Sequence, residues 1–320
     1  MKKYTCTYTP RGWGLVEFII AVGLGLLISL LAGGLLMAAS SNYRNHSENV
    51  WLNDGGRYAL QIMAQAIRQS ALVNWDSTVA PFELEADTSA AVDGLDAHSV
   101  SRNADGISAP LPPVANGSDV LALRFSGSGT EASGDGSSLN CGGFGVAAPT
   151  SESARGWSIF YVAEDADGEP ELRCKYRGAA GWGADAIVRG VDSFQVLYGL
   201  DTDVPADGVP NTYVNASTVS ALDDALVLEG ATAAEQQRDL RRKTYWKRVC
   251  SVKLALLLHG DSNSRSDTIA KRFDLFGEAY SDTHGDDAGT RVLEGSFPEP
   301  QRLRARKVFS MTVALRNRGG

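Results

Sequence analysis

The sequence has 320 residues, 43% of them hydrophobic and 21% charged, with 34 Gly, 11 Pro, 4 Cys and 4 His. That is enough for one large domain or two small ones, and it excludes a disordered, collagen-like or disulfide-dense chain. Thirty Lys and Arg against 38 Asp and Glu leave a formal charge of −8, which argues against nucleic acid as a partner bound through counterion release.

Residues 18–39 are 22 consecutive residues without a charge, long enough to cross about 30 Å of hydrocarbon as a helix. Lys2, Lys3 and Arg11 lie before this run, so the positive-inside rule places the short N-terminal side in the cytoplasm and exports residue 40 onward. A cleaved secretory signal and a plain membrane anchor are the ordinary readings, although Leu36-Met37-Ala38 only approximates a small-residue cleavage site. Glu17 fits neither well. A carboxylate costs up to about 2.5–3.5 kcal/mol at the centre of a membrane helix, and an isolated one snorkels to the interface.

The stretch Arg11-Gly12-Trp13-Gly14-Leu15-Val16-Glu17-Phe18 resembles the class III signal of type IV pilins and type II secretion pseudopilins. The resemblance implies that Gly12 ends a leader, that prepilin peptidase cuts before Trp13, and that Trp13 becomes an N-methylated terminus. Trp stands where the family usually has Phe. Glu17 is then the acidic fifth residue of the mature chain, paired with the terminal ammonium of a neighbouring subunit and setting register in an apolar bundle.

Helical spacing continues through residues 43–72, where Tyr43, Val50, Ala59, Ile62, Met63, Ala66, Ile67 and Ser70 recur between polar positions. One helix over residues 13–72 would be about 90 Å long. Gly33-Gly34 and Gly55-Gly56 each predict bending or local melting, with a break into separate helices as the alternative, because a helical glycine costs about 1 kcal/mol relative to alanine. The segment Asn53-Asp54-Gly55-Gly56-Arg57-Tyr58-Ala59-Leu60, with Ala64-Gln65-Ala66-Ile67-Arg68 behind it, looks like the corresponding segment of the PilW group of minor pilins. Residues 190–199 and 308–317 are similar to that family's characteristic strands. The implied fold is α+β: a type IV pilin fold, with a long N-terminal helix packed on an antiparallel β-sheet head carrying long loop insertions. Its parts are a leader (1–12), a transmembrane half of the helix (13–39), an amphipathic half (40–75) and a β-rich head (76–320).

Beyond residue 75 the apolar period changes from 3.6 to 2. Strands are predicted at 119–125, 157–163, 171–176, 186–198, 245–258, 269–276 and 307–316, paired antiparallel because no long helical crossover separates them. Residues 76–117, 126–156 and the acidic, Ala-rich 200–240 read as long surface loops.

Cys6 belongs to the leader, and three cysteines remain in an exported, oxidising setting. Cys141 lies in a Gly-rich loop and Cys174 in a following strand, so a bridge between them would tether the loop. Cys250 alternates in phase with Val252, Leu254, Leu256 and Leu258, which predicts a buried thiol; a bridge from Cys250 to either of the others is the alternative. Asp201, Asp203 and Asp207 resemble a calcium loop, but Pro205 replaces a ligand and no Glu closes it, which favours a solvated turn. Gly181 to Ala186 satisfies G-x-G-x-x-A between strands, with no helix to aim at a phosphate. His259-Gly260-Asp261-Ser262 cannot fold on itself as a triad, and His46, His98, His259 and His284 read as surface residues. Two basic clusters, Arg238 to Arg248 and Arg302 to Lys307, read as solvated faces, with DNA or an acidic partner as the alternative.

These readings lead to a structural, non-enzymatic minor pilin with no cofactor and no resident metal. It would sit in the inner membrane with a periplasmic head and then join the pilus. Its partners would be prepilin peptidase, the inner-membrane assembly platform, other minor pilins, the major pilin and a tip adhesin. A minor pseudopilin of type II secretion is the alternative within the class. A pilus-tip subunit for DNA uptake or adhesion is the alternative outside it.

Overall fold

The computed structural model describes residues 14–70, 86–178, 180–261, 264–265 and 269–315. Contacts divide the chain into two compact units, Met1–Asn49 and Val50–Gly320, and helix α1 (Leu15–Ser70) contributes residues to both. In the first unit the stretch Leu15–Ser40 has a mean hydropathy of 2.6 and contains no buried residue. It is long and apolar enough to cross a bilayer. Gly33 and Gly34 remain helical there, with open space beside them.

In the second unit α1 buries Leu52, Ala59, Leu60, Met63, Ala64 and Ile67 on one stripe, the i, i+3, i+4, i+7 pattern of a helix laid on a core. Tyr43 and Val50, expected on that stripe, are exposed. The second glycine pair does not melt the helix either. A Cβ on Gly56 would lie 2.6 Å from the Phe309 ring, and one on Gly55 would lie 3.0 Å from Val188 Cγ2. The glycines let two strands approach the helix backbone.

Strands β1 (Val92–Leu95), β2 (Ser99–Val100), β3 (Pro110–Leu111) and β4 (Val120–Phe125) come next in the chain. They are followed by β5 (Gly156–Glu164), β6 (Pro170–Gly178), β7 (Gly181–Arg189) and β8 (Val191–Leu200). Beyond them lie β9 (Thr212–Val214), α2 (Ala216–Asp224), α3 (Ala233–Lys243) and β10 (Val249–His259). The chain closes with β11 (Arg272–Asp274), α4 (Glu278–Thr283), β12 (Arg291–Leu293), α5 (Glu299–Arg302) and β13 (Arg306–Ala314). Two larger sheets result, ordered β1-β4-β5-β6-β7 and β13-β10-β8-β9, with β11-β12 and β2-β3 as small ribbons. Every ladder is antiparallel.

Where one strand was expected over 186–198, there are two, in different sheets. Gly190, at φ +75°, turns the chain between them, and a Cβ there would lie 2.7 Å from the His259 carbonyl oxygen. Residues 245–248 form a 3₁₀ turn rather than the start of a strand. The segment 200–240, expected as a loop, contains β9, α2 and α3. Both helices announce their starts: Asn215 accepts from Thr218 N, and Thr232 with Glu235 makes a full capping box.

One core joins the α1 stripe to Leu121 and Leu123 of β4, Phe160 and Val162 of β5, and Leu254, Leu256 and Leu258 of β10. Each sheet is also covered on its other face, by Val100 and Ile107 over the first and by Leu275, Val292 and Phe297 over the second. Both-sided cover is why all ten residues of β8 are buried, where an alternating pattern was expected.

Candidate functional site

Glu17 lies in the first turn of α1. Its carboxylate reaches back three residues, and Oε2 accepts from Gly14 N–H at 3.0 Å. A helix start leaves four N–H groups without internal partners and carries a partial positive charge, so a carboxylate placed there satisfies a donor and opposes the dipole. Gly12 and Trp13 lie outside the described residues. Among the described residues, what stands at this end of the chain is an acidic group turned toward the N-terminal end of an apolar helix.

In the head Cys141 and Cys174 are joined by a disulfide across 33 residues, tying the loop before β5 to β6. Cys141 N–H also donates to Ser158 Oγ at 3.0 Å. On the same strand as Cys174, Lys175 is fully buried, and its ammonium donates to the carbonyls of Ser101, Ala104 and Gly106 at 2.8, 2.7 and 2.6 Å. Burial pushes the Lys175 pKa down to about 8. Cys250 keeps its thiol, which is buried and donates to Gly199 O at 3.4 Å. Val249 pairs with Leu200 and Ser251 with Gly199, so Cys250 is the extra residue of a β-bulge. The strict alternation expected through Cys250 therefore shifts by one residue there.

The carboxylates of Asp201, Asp203 and Asp207 offer oxygens within 4.8 Å of one another. Their oxygens also fold the loop itself. Asp201 accepts from Asp203 N and Gly208 N at 3.2 and 2.7 Å, Asp207 from Val209 N at 2.8 Å, and Asp203 from Asn211 Nδ2 at 3.1 Å. Such bonds from a side chain to nearby backbone make a turn without an ion.

A cluster the sequence did not reveal lies where β8, β10 and β13 come together. Leu257 pairs with Ser193 and Leu258 with Val191, so Asp192 is an extra residue whose bulge re-aims its side chain. Asp192 Oδ2 accepts from Arg306 Nε at 2.6 Å, and Oδ1 lies 2.8 Å from His259 Nδ1. His259 Nε2 touches Glu169, which also accepts from Arg304 Nη1 at 2.6 Å. Glu294 accepts from Arg265 at 2.5 Å. His259, expected at the surface, is buried at 3% exposure. The expectation of a solvated face for Arg302 to Lys307 holds for Arg302 and Lys307, which are exposed, and fails for Arg306, whose side chain is 0% exposed and stacks over Phe297 at 3.8 Å. Each charge has an opposite partner, so the cluster fastens strand ends from β6, β8, β10 and β13 together.

The other basic cluster does lie on the surface. Arg241, Arg242 and Arg248 are exposed, and Arg242 to Tyr245, Lys247 and Arg248 border an open cleft with Leu226.

Residues 159–317 match the family model of the type IV pilus-assembly protein W, PilW. This segment makes the chain a PilW-type pilus-assembly protein. The PilW segment begins in β5 and takes in β13, so it contains all of the second large sheet, both bulges and the buried charge cluster. No curated protein and no solved structure matches the chain. Family and structure together support a role in type IV pilus assembly with an apolar N-terminal helix that can hold the protein in a membrane.

Proposed function

We propose that the chain is a structural, non-enzymatic minor pilin that takes part in initiation or tip assembly of a type IV pilus. It begins as an inner-membrane precursor with its head in the periplasm; prepilin peptidase cuts after Gly12, and Trp13 is then N-methylated. The observation that carries this reading is the conjunction, in one chain, of Glu17 at the start of an apolar helix and a PilW segment in the head. A carboxylate in that position is costly in lipid unless a cation meets it, and the ammonium exposed by cleavage on a neighbouring subunit is such a cation. Other minor pilins, the major pilin and the inner-membrane platform are the partners this implies.

Mass spectrometry of the mature N-terminus is the test. The expected terminus is methylated Trp13, and a mature chain beginning at Ala39 would replace the pilin reading with an ordinary secretory one. Glu17→Ala is expected to insert into the membrane as well as the wild type, because an insertion cost is removed, and to be depleted from sheared pili. Wild-type amounts of the variant in sheared pili would remove the pairing role.

A further inference from the structure

Arg242 to Tyr245, Lys247 and Arg248, together with Leu226, line a cleft of about 330 Å³ in the head. The last turn of α3 supplies Arg241, Arg242 and Lys243, and the 3₁₀ turn that follows supplies Lys247 and Arg248. Two of these cations are engaged. Lys243 pairs with Asp239 at 2.7 Å and Glu229 at 3.3 Å, and Lys247 donates to the Ala86 carbonyl at 2.6 Å. Among the described residues Arg241, Arg242 and Arg248 form no ion pair. The Arg248 guanidinium lies 5.1 Å from the Tyr245 ring centroid.

A helix dipole accounts for basic residues in the last turn of α3. It does not account for Lys247 and Arg248, which come after the helix has ended, or for a concave arrangement of side chains that repel one another. Burial lowers the pKa of Lys247, with Arg155 and Arg241 acting in the same direction against Asp87 and Glu152. Arg241, Arg242 and Arg248 thus leave three exposed guanidiniums together at this place, in a chain whose formal charge is −8.

We propose that this cleft binds an acidic peptide segment, an Asp/Glu pair presented by another pilus-assembly protein. Guanidinium forks match carboxylates two hydrogen bonds at a time, while Leu226 and Tyr245 in the lining give the methylene stems of Asp and Glu an apolar surface. A long phosphate backbone fits less well. At about 330 Å³, with no carboxylate among its lining residues, the cleft holds a few side chains only. The assembly reading supplies the identity of the partner; the binding chemistry stands without it.

The test uses the full chain in detergent micelles and a fluorescein-labelled hexapeptide of alternating Asp and Glu, followed by fluorescence anisotropy. Binding that weakens as salt is raised is expected, with a loss on the order of tenfold or more in R242E/R248E. The charge-matched R102E/R177E, on exposed arginines elsewhere in the head, is expected to bind as the wild type does, and thermal unfolding checks that both variants fold. Equal loss in both variants, or no binding to the wild type, would overturn the proposal. Tighter binding of a single-stranded oligonucleotide would overturn it in favour of nucleic acid. If E83Q/E85Q is what makes the cleft accessible to the peptide, its occupant is the chain's own acidic segment and not a partner's. N-terminal mass spectrometry is independent of all these arms, so failure of the minor-pilin reading is distinguishable from failure of the cleft.

Discussion

Gly56 shows how a single residue can carry opposite meanings in sequence and in structure. In an exposed helix interior, alanine in place of glycine gains about 1 kcal/mol. Here the added Cβ would lie 2.6 Å from the Phe309 ring, and overpacking of that kind costs about 1–3 kcal/mol. Gly56→Ala is therefore expected to lower the midpoint of thermal unfolding, and adding Phe309→Leu is expected to recover part of the loss. A rise in the midpoint with Gly56→Ala alone would mean that the ring swings away freely. Arg306 has the same lesson for charge. Its side chain is 0% exposed and bonded to Asp192, itself 4% exposed, so Arg306→Met leaves a buried carboxylate without its guanidinium and is expected to cost about 3–5 kcal/mol. Urea unfolding measures it, and a loss under about 1 kcal/mol would show that His259 alone suffices to hold Asp192. Neither role was legible in the sequence, because Phe309 and Asp192 act on residues far from them along the chain, through a glycine that reads as a break and an arginine that reads as a solvated face.

At the scale of elements, legibility followed the number of faces each segment buries. The α1 stripe and strands β4, β5, β6 and β13 were readable from period or apolar runs. Helices α2 and α3 were not, since an acidic, Ala-rich stretch buries only Ala216 and Val219 in α2 and nothing in α3. Their caps were the signal that could have found them: Thr232-x-x-Glu235 is a capping box in plain view. A helix with no buried residue depends on such local terms. Thr232→Ala is expected to cost about 1 kcal/mol, seen as faster amide exchange over residues 233–243 with β10 unchanged. Unchanged exchange in α3 would show that the salt bridges of Asp239 and Lys243 hold the helix without its cap. Since α3 carries Arg241 and Arg242, the same variant is expected to weaken acidic-peptide binding modestly.

At the scale of the whole molecule, the proposed orientation ties the leader to the chemistry of the head. Lys2, Lys3 and Arg11 precede the apolar helix, and flanking cations of this kind hold the N-terminal side of a first helix in the cytoplasm. The Cys141–Cys174 bridge needs an oxidising compartment, so its formation reports where the head is. Replacing the three cations with serine is expected to leave a fraction of heads in the cytoplasm, where both thiols stay reduced. Peptide mapping after alkylation would then find modified Cys141 and Cys174 in that fraction, and protease added to spheroplasts would spare the same molecules. Because closing a 33-residue loop contributes roughly 3–4 kcal/mol in the chain-entropy model, the retained heads are also expected to unfold at lower urea concentration than exported ones. Complete oxidation and complete protease access in the variant would show that the leader cations do not set the orientation, and that the apolar helix and its processing signal direct export by themselves.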